Sequence, residues 1–147
     1  GGTEIPEERI TRNHWGSVVQ MDLSQMGISS SDCLVGLEEY SLHLSRINLS
    51  MNTLENIDLS PLEEPVDLMR LDLSHNAINS IPAFAGKAME IDLSDNALST
   101  IDMTVFEGMD VDRIDLRANH LSEGTVDAID AFNRDRKRPV IVRDGHF

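Results

Sequence analysis

The chain has 147 residues, enough for one domain, and 40% of them are apolar. Its formal charge of -14 opposes non-specific binding to nucleic acid or to an anionic membrane. The one cysteine, Cys33, excludes an internal disulfide, and no apolar run approaches the length of a membrane span.

Residues 1–17 are polar and read as an N-terminal cap. Pro6 followed by Glu7 and Glu8 opens a short helix. Trp15, just before the first strand, reads as a cover over the exposed end of the core, with a binding role as the alternative. Val18 to Leu23 is the first strand. Ser31-Asp32 caps a helix, CLVGLEEY, with Leu34 and Leu37 inward and Cys33 a small buried residue at its start. The second strand lies around Ser45–Leu49, and the segment after it carries Pro61 and Pro65, which suit an irregular turn. A third strand, inside LMRLDLSHNAI, is followed by a short extended return, SIPAFAGK. A fourth is followed by STIDMTVFEGM, which offers a single helical turn, and Phe84 and Phe106 fill the outer layer. Past Asn119 the pattern changes. Ser122 N-caps a helix through Phe132, with Val126, Ile129 and Phe132 as its buried face. A basic loop, NRDRKR, and an edge strand begun by Pro139 close the chain.

These strands share one template. Leu68, Leu71, Leu73, Asn76 and Ile78 fit L-x-x-L-x-L-x-x-N-x-L at every fixed position. The template returns at Leu44, Ile47, Leu49, Asn52 and Leu54; at Ala88, Ile91, Leu93, Asn96 and Leu98; and at Val111, Ile114, Leu116, Asn119 and Leu121. The first copy, Val18, Met21, Leu23, Met26 and Ile28, has Met26 where the asparagine belongs, which suits a looser end unit. The asparagine positions are 26, 24, 20 and 23 residues apart. Leu71 and Leu73, two apart, share one face of a strand. One such unit cannot bury that face alone, so neighbours stack into a parallel sheet over one core. The asparagine follows the strand, where its amide can satisfy backbone groups left unpaired by the turn. Asn52, Asn76, Asn96 and Asn119 are therefore expected to form a buried ladder. Ile57, Ile81 and Ile101 continue the core past each turn.

The repeats resemble the leucine-rich repeat superfamily over roughly residues 18–142. The resemblance implies an α/β solenoid of about five turns, with a concave parallel sheet, an irregular or short-helix convex side and a C-terminal helix–strand cap. The whole chain would be a single leucine-rich repeat domain, with the repeats in 18–121 and the cap in 122–147. The stretch NHLSEGTVDAIDAFNRDRKRPVIV also resembles the end of the repeat domain in bacterial leucine-rich effector proteins, some of which are ubiquitin ligases. Asn119, Leu121, Ser122 and Thr125 carry that likeness. The chain departs from those effectors in its irregular repeat lengths and in having only one Leu-Pro-like pair, Ile81-Pro82, and a ligase domain is not expected within these 147 residues. The resemblance implies a target-recognition domain of a larger protein.

In solenoids of this kind the concave face binds, and its exposed rows follow from the template. One row is Gln20, Arg46, Arg70, Glu90 and Arg113, and the next is Asp22, Asn48, Asp72, Asp92 and Asp115. Carboxylates on strands about 4.8 Å apart repel by about 1 kcal/mol in water, and the arginine row can offset this. A third row places Met69 beside Met89; with Met51 and His75 downstream they outline a mixed patch. The candidate partner-binding residues are Arg46, Arg70, Asp72, Met69, Met89, Glu90, Asp92, Arg113, Asp115 and His75; a solvated, self-neutralising face is the alternative. Asp72, Asp92 and Asp115 in a flat row supply too few oxygens for calcium. His14, His43, His75, His120 and His146 lack metal-ligand spacing, and no nucleophile elbow, P-loop or nucleotide fingerprint is present. The expectation is a monomeric, non-catalytic module that binds another protein, needs no cofactor, and resides in the cytoplasm or is secreted as a bacterial effector rather than as a disulfide-capped extracellular protein. The rival expectation is head-to-tail assembly, in which the basic end (Arg134, Arg136, Lys137, Arg138 and Arg143) meets the acidic body of another copy.

Overall fold

A computed structural model describes residues 7–29, 43–59, 67–81, 84, 86–107, 109–135 and 140–144. Its framework is one seven-stranded sheet in which every strand neighbours the next in the chain: β1 (Ile10–Arg12), β2 (Val18–Asp22), β3 (Arg46–Asn48), β4 (Asp67–Asp72), β5 (Lys87–Asp92), β6 (Asp110–Asp115) and β7 (Val140–Val142). β1 and β2 are antiparallel, and all later pairs are parallel. One helix, α1 (Glu123–Arg134), and two 3-10 turns, Glu7–Arg9 and Met103–Phe106, complete the described elements.

The two-residue spacing inside each strand decides which face is apolar. Met21, Ile47, Leu71, Ile91, Ile114 and Ile141 share one register row on the core side. The apolar residue two further on, Leu23, Leu49, Leu73, Leu93 or Leu116, is also buried. Leu54, Ile78 and Leu98 carry the core past the turns. Phe84 and Phe106 are buried in it, and the ring of Phe106 meets that of Phe132 on α1 at 5.9 Å between centroids.

The turn after each of β2 to β6 repeats the same backbone strain. Gln25, Met51, His75, Asp95 and Ala118, each one residue before the template's asparagine position, take φ of 52–58°. That left-handed conformation costs a residue with a Cβ roughly 1–2 kcal/mol. In four of these five turns the asparagine that follows offsets it. Asn96 donates its Nδ2 to the carbonyls of Leu93 and Ser94 in its own turn and of Leu73 in the turn before, while its Oδ1 accepts from the Ile78 amide at 3.0 Å. Asn52, Asn76 and Asn119 repeat this geometry. Each side chain thus bridges its own turn to the preceding one. Asn52 and Asn96 are buried, whereas Asn76 and Asn119 are half-buried.

That directionality explains Met26. The first turn has no predecessor to bridge, and its own Met26 and Ile28 amides are accepted by Asn52 Oδ1. In this end unit the next turn thus supplies acceptors for two backbone amides, and the Met26 side chain is exposed.

The N-terminal region also differs from its reading. Glu7–Arg9 forms only one 3-10 turn, and Ile10–Arg12 is a strand that pairs back on β2 through a tight connection. Asn13 shapes that connection by accepting from the amides of Trp15 and Ser17. Trp15 lies at its tip, 83% exposed, and does not cover the core; its ring packs edge-on against His14. At the other end, Ser122 caps α1, and the buried face is Thr125, Ile129 and Phe132, with Val126 only half-buried. Thr125 is inward for a reason: its Oγ1 accepts from the Ile101 amide at 3.2 Å and from Ser122 Oγ at 2.8 Å. The expected helix at CLVGLEEY and the Pro61/Pro65 turn lie outside the described residues, as do Cys33, Pro82 and Pro139. Among the described residues no helix is long and apolar enough to cross a membrane.

Candidate functional site: the polar face of the sheet

Opposite the core, the register aligns Gln20, Arg46, Arg70, Glu90 and Arg113 in one row, and Asp22, Asn48, Asp72, Asp92 and Asp115 in the next. The first row is a ladder of opposite charges over part of its length. Arg70 pairs with Glu90, and Glu90 accepts again from Arg113 at 3.0 Å. Arg70 also donates to Asp92 at 2.9 Å and lies 3.6 Å from Asp72. Burial pulls against the charged form of Arg70, but Glu90, Asp72 and Asp92 outweigh it and raise its pKa.

The second row serves the backbone. Asp22, Asp72 and Asp92 each accept, through Oδ1, the amide and hydroxyl of the serine two residues on: Ser24, Ser74 and Ser94. Asn48 accepts the Ser50 amide in the same way. These side chains set the turn, so Asp72 and Asp92, half-buried, offer a partner less than their exposed template positions imply. Asp115 is corrected outright. It is 3% exposed, lying beneath Arg117, which clasps both its oxygens at 2.6–3.1 Å. Burial works to raise its pKa, but the side-chain and backbone hydrogen bonds from Arg117 and the charges of Arg117 and Arg113 lower it on balance. Arg117 was missed from sequence. Its signal is that it stands where the other copies carry serine, two residues past the row.

Met69 and Met89 are exposed at 46% and 53%, near the starts of β4 and β5, whose register makes them neighbours. Met51 and His75 are also exposed, but they lie past the strand ends, and six residues of nearly extended chain separate Met69 from His75, roughly 20 Å. The structure therefore does not gather the four into one patch. An apolar rim of Met69 and Met89 lies on the upstream side of the charged centre, and a mixed rim with Met51, His75 and Asp95 on the downstream side. His75 Nδ1 lies 2.5 Å from Asp95 Oδ2 on the downstream rim.

The basic end is less available than its composition suggests. Arg143 is held by both oxygens of Asp130 at 2.8–2.9 Å, and residues 136–138 lie outside the described residues. Among the described residues, no group of three or more His, Cys, Asp or Glu side chains is placed to hold a metal ion.

No protein-family model, curated protein or solved structure matches this chain.

Proposed function

We propose that the chain is a leucine-rich repeat solenoid that acts as a non-catalytic protein-interaction module, docking a partner protein on the concave, polar face of its sheet. The observation that carries this reading is the neighbouring pair of exposed methionines, Met69 and Met89, beside the Arg70–Glu90–Arg113 ladder. Unbranched thioether side chains make adaptable contact area, and a charged border supplies register. The C-terminal likeness to leucine-rich effector proteins supports placing the module within a larger protein as its target-recognition part. The six parallel strands β2–β7 give a strip about 25 Å across, which suits an interface of about 800 Å² per partner or less.

Capture with the wild-type chain and with Met69→Glu/Met89→Glu tests this. Captured proteins are identified, and each purified candidate is titrated calorimetrically against both chains, whose folding is checked by circular dichroism. A protein bound by the first and at least tenfold more weakly by the second supports the reading. Equal affinity for both chains places the interface elsewhere.

A further inference from the structure

The charge ladder stops short at one end, and the gap has a definite chemistry. Glu90 lies between Arg70 and Arg113 and is shared by both. No carboxylate lies between Arg70 and Arg46, which are register neighbours. On its other side Arg46 faces Gln20, a neutral residue. The exposed Arg46 guanidinium has no hydrogen-bond or ion-pair partner among the described residues, in contrast to Arg70, Arg113 and Arg117. The next row carries a matching change, since Asn48 stands between Asp22 and Asp72. Its Oδ1 is used on Ser50, as the aspartates use theirs. Its other side-chain atom is a donor where an aspartate has a second acceptor. No buried side-chain nitrogen lacks a partner among the described residues, so the unengaged Asn48 Nδ2 is open to solvent. Gln20, Arg46, Asn48, Arg70 and Asp72 line a hollow of about 140 Å³ at this place. Three of the side chains that line it thus carry unengaged donors: the Arg46 guanidinium and the Gln20 and Asn48 amides.

We propose that this hollow receives the carboxylate of an aspartate or glutamate side chain from the partner protein, paired with Arg46 and hydrogen-bonded by Gln20 and Asn48. This rests on the protein-docking reading and names the group recognised. Asp72 on the wall is engaged by Ser74 and lies near Arg70, which offsets its repulsion. The rest of the chain's negative charge acts weakly, because at physiological ionic strength the screening length is about 8 Å. A carboxylate fits better than a phosphate. One unpaired arginine balances a single charge, whereas a phosphate monoester brings about two beside Asp72.

The test is an NMR titration of the full chain, following the Arg46 Nε–Hε and the Gln20 and Asn48 amide signals. The probes are an acetylated, amidated pentapeptide alternating serine and glutamate, its glutamine counterpart, and a counterpart with phosphoserine in place of glutamate. Saturable shifts with the glutamate peptide, at least fivefold weaker with glutamine, are expected. Arg46→Gln should abolish them, and so should Asn48→Asp, which copies the residue of the neighbouring repeats and so keeps the fold. Lys87→Gln, which removes the same charge from the start of β5, should change the affinity less than twofold. Equal binding of the glutamate and glutamine peptides, tighter binding of the phosphoserine peptide, or unchanged binding by Asn48→Asp would overturn the proposal. A captured partner that loses affinity for Met69→Glu/Met89→Glu but keeps it for Arg46→Gln and Asn48→Asp would leave the docking face standing and remove this site alone.

Discussion

Replacing Asn96 tests the claim that each asparagine is a bridge between turns rather than a local turn former. Asn96→Ala removes four hydrogen bonds, but their losses are unequal. Leu73 O keeps a bond from Asn76, Leu93 O keeps one from Asn119, and Ser94 O keeps one from the His75 amide. The Ile78 amide, bonded to Asn96 Oδ1 in the core, has no such second partner among the bonds described. One buried, orphaned N–H costs about 1–3 kcal/mol, and weakening the doubly bonded carbonyls adds a few tenths each, so a loss of about 2–3 kcal/mol is expected. Asn96→Asp keeps the acceptor for Ile78 but points oxygen at three carbonyls, and should cost at least as much. Met26→Asn is the discriminating control. It restores the template, yet the first turn has no predecessor to bridge, so stability should change by no more than about 0.5 kcal/mol. Urea unfolding followed by circular dichroism reads all three, with slopes compared to exclude a change in the unfolded state. A loss under about 0.5 kcal/mol in Asn96→Ala, or a gain above about 1 kcal/mol in Met26→Asn, would refute the bridging account.

The helix and the acidic face give two further expectations. Thr125→Val keeps the volume but strands the Ile101 amide and leaves Ser122 Oγ without its acceptor, for a loss of about 1–3 kcal/mol in the same urea assay; Thr125→Ser should recover most of it. Asp115 sets a pH dependence. Its folded pKa lies below the unfolded value of about 3.9, so the stability it contributes is present above that value and is lost as pH falls through the lower, folded one. Asp115→Asn should therefore be less stable at pH 7 and show a shallower fall in urea midpoint below pH 4, and equal slopes would count against the assignment.

The rows of the polar face were legible because leucine and asparagine anchor the register every repeat, and a two-residue period leaves no freedom in which side chains share a row. What those side chains do was less legible. Asp72 and Asp92 look alike as exposed carboxylates until the serine two residues on is read with them, when both become turn-forming acceptors. Asp115 is followed by Arg117 instead, and only packing tells that the guanidinium folds back over it. β1 was missed because Ile10-Thr11-Arg12 holds one apolar residue, too few for an alternation to register. The turn residues Asn13 and Gly16 ahead of a firm strand were the available signal. Trp15 was misplaced because a large aromatic near the end of a core is buried only if the chain can turn it inward, and this hairpin points it away.

The two ends of the sheet differ, and this bears on how the chain meets others. At one end the antiparallel β1 pairs with β2 and is itself the outermost strand. At β7 the closing groups are side chains. Asn133 on α1 accepts from the Ile141 amide at 3.0 Å and donates to the Ile141 carbonyl at 2.7 Å, as a neighbouring strand would. Asp144 accepts from the Ala118 amide, a bond that the preceding turns make to the backbone carbonyl of the next turn: Gln25 to Ser50, Met51 to Ser74, His75 to Ser94 and Asp95 to Arg117. A side-chain amide and a carboxylate thus stand in for one more turn. Engaged edge groups are poor templates for another chain, and Arg143, part of the basic end, is already committed to Asp130. Stacking of another copy against the β7 end would have to displace these bonds before gaining its own. The face beside the ladder asks for no such displacement at Arg46, Gln20 or the Asn48 amide, which favours docking of the partner on the face over the β7 end.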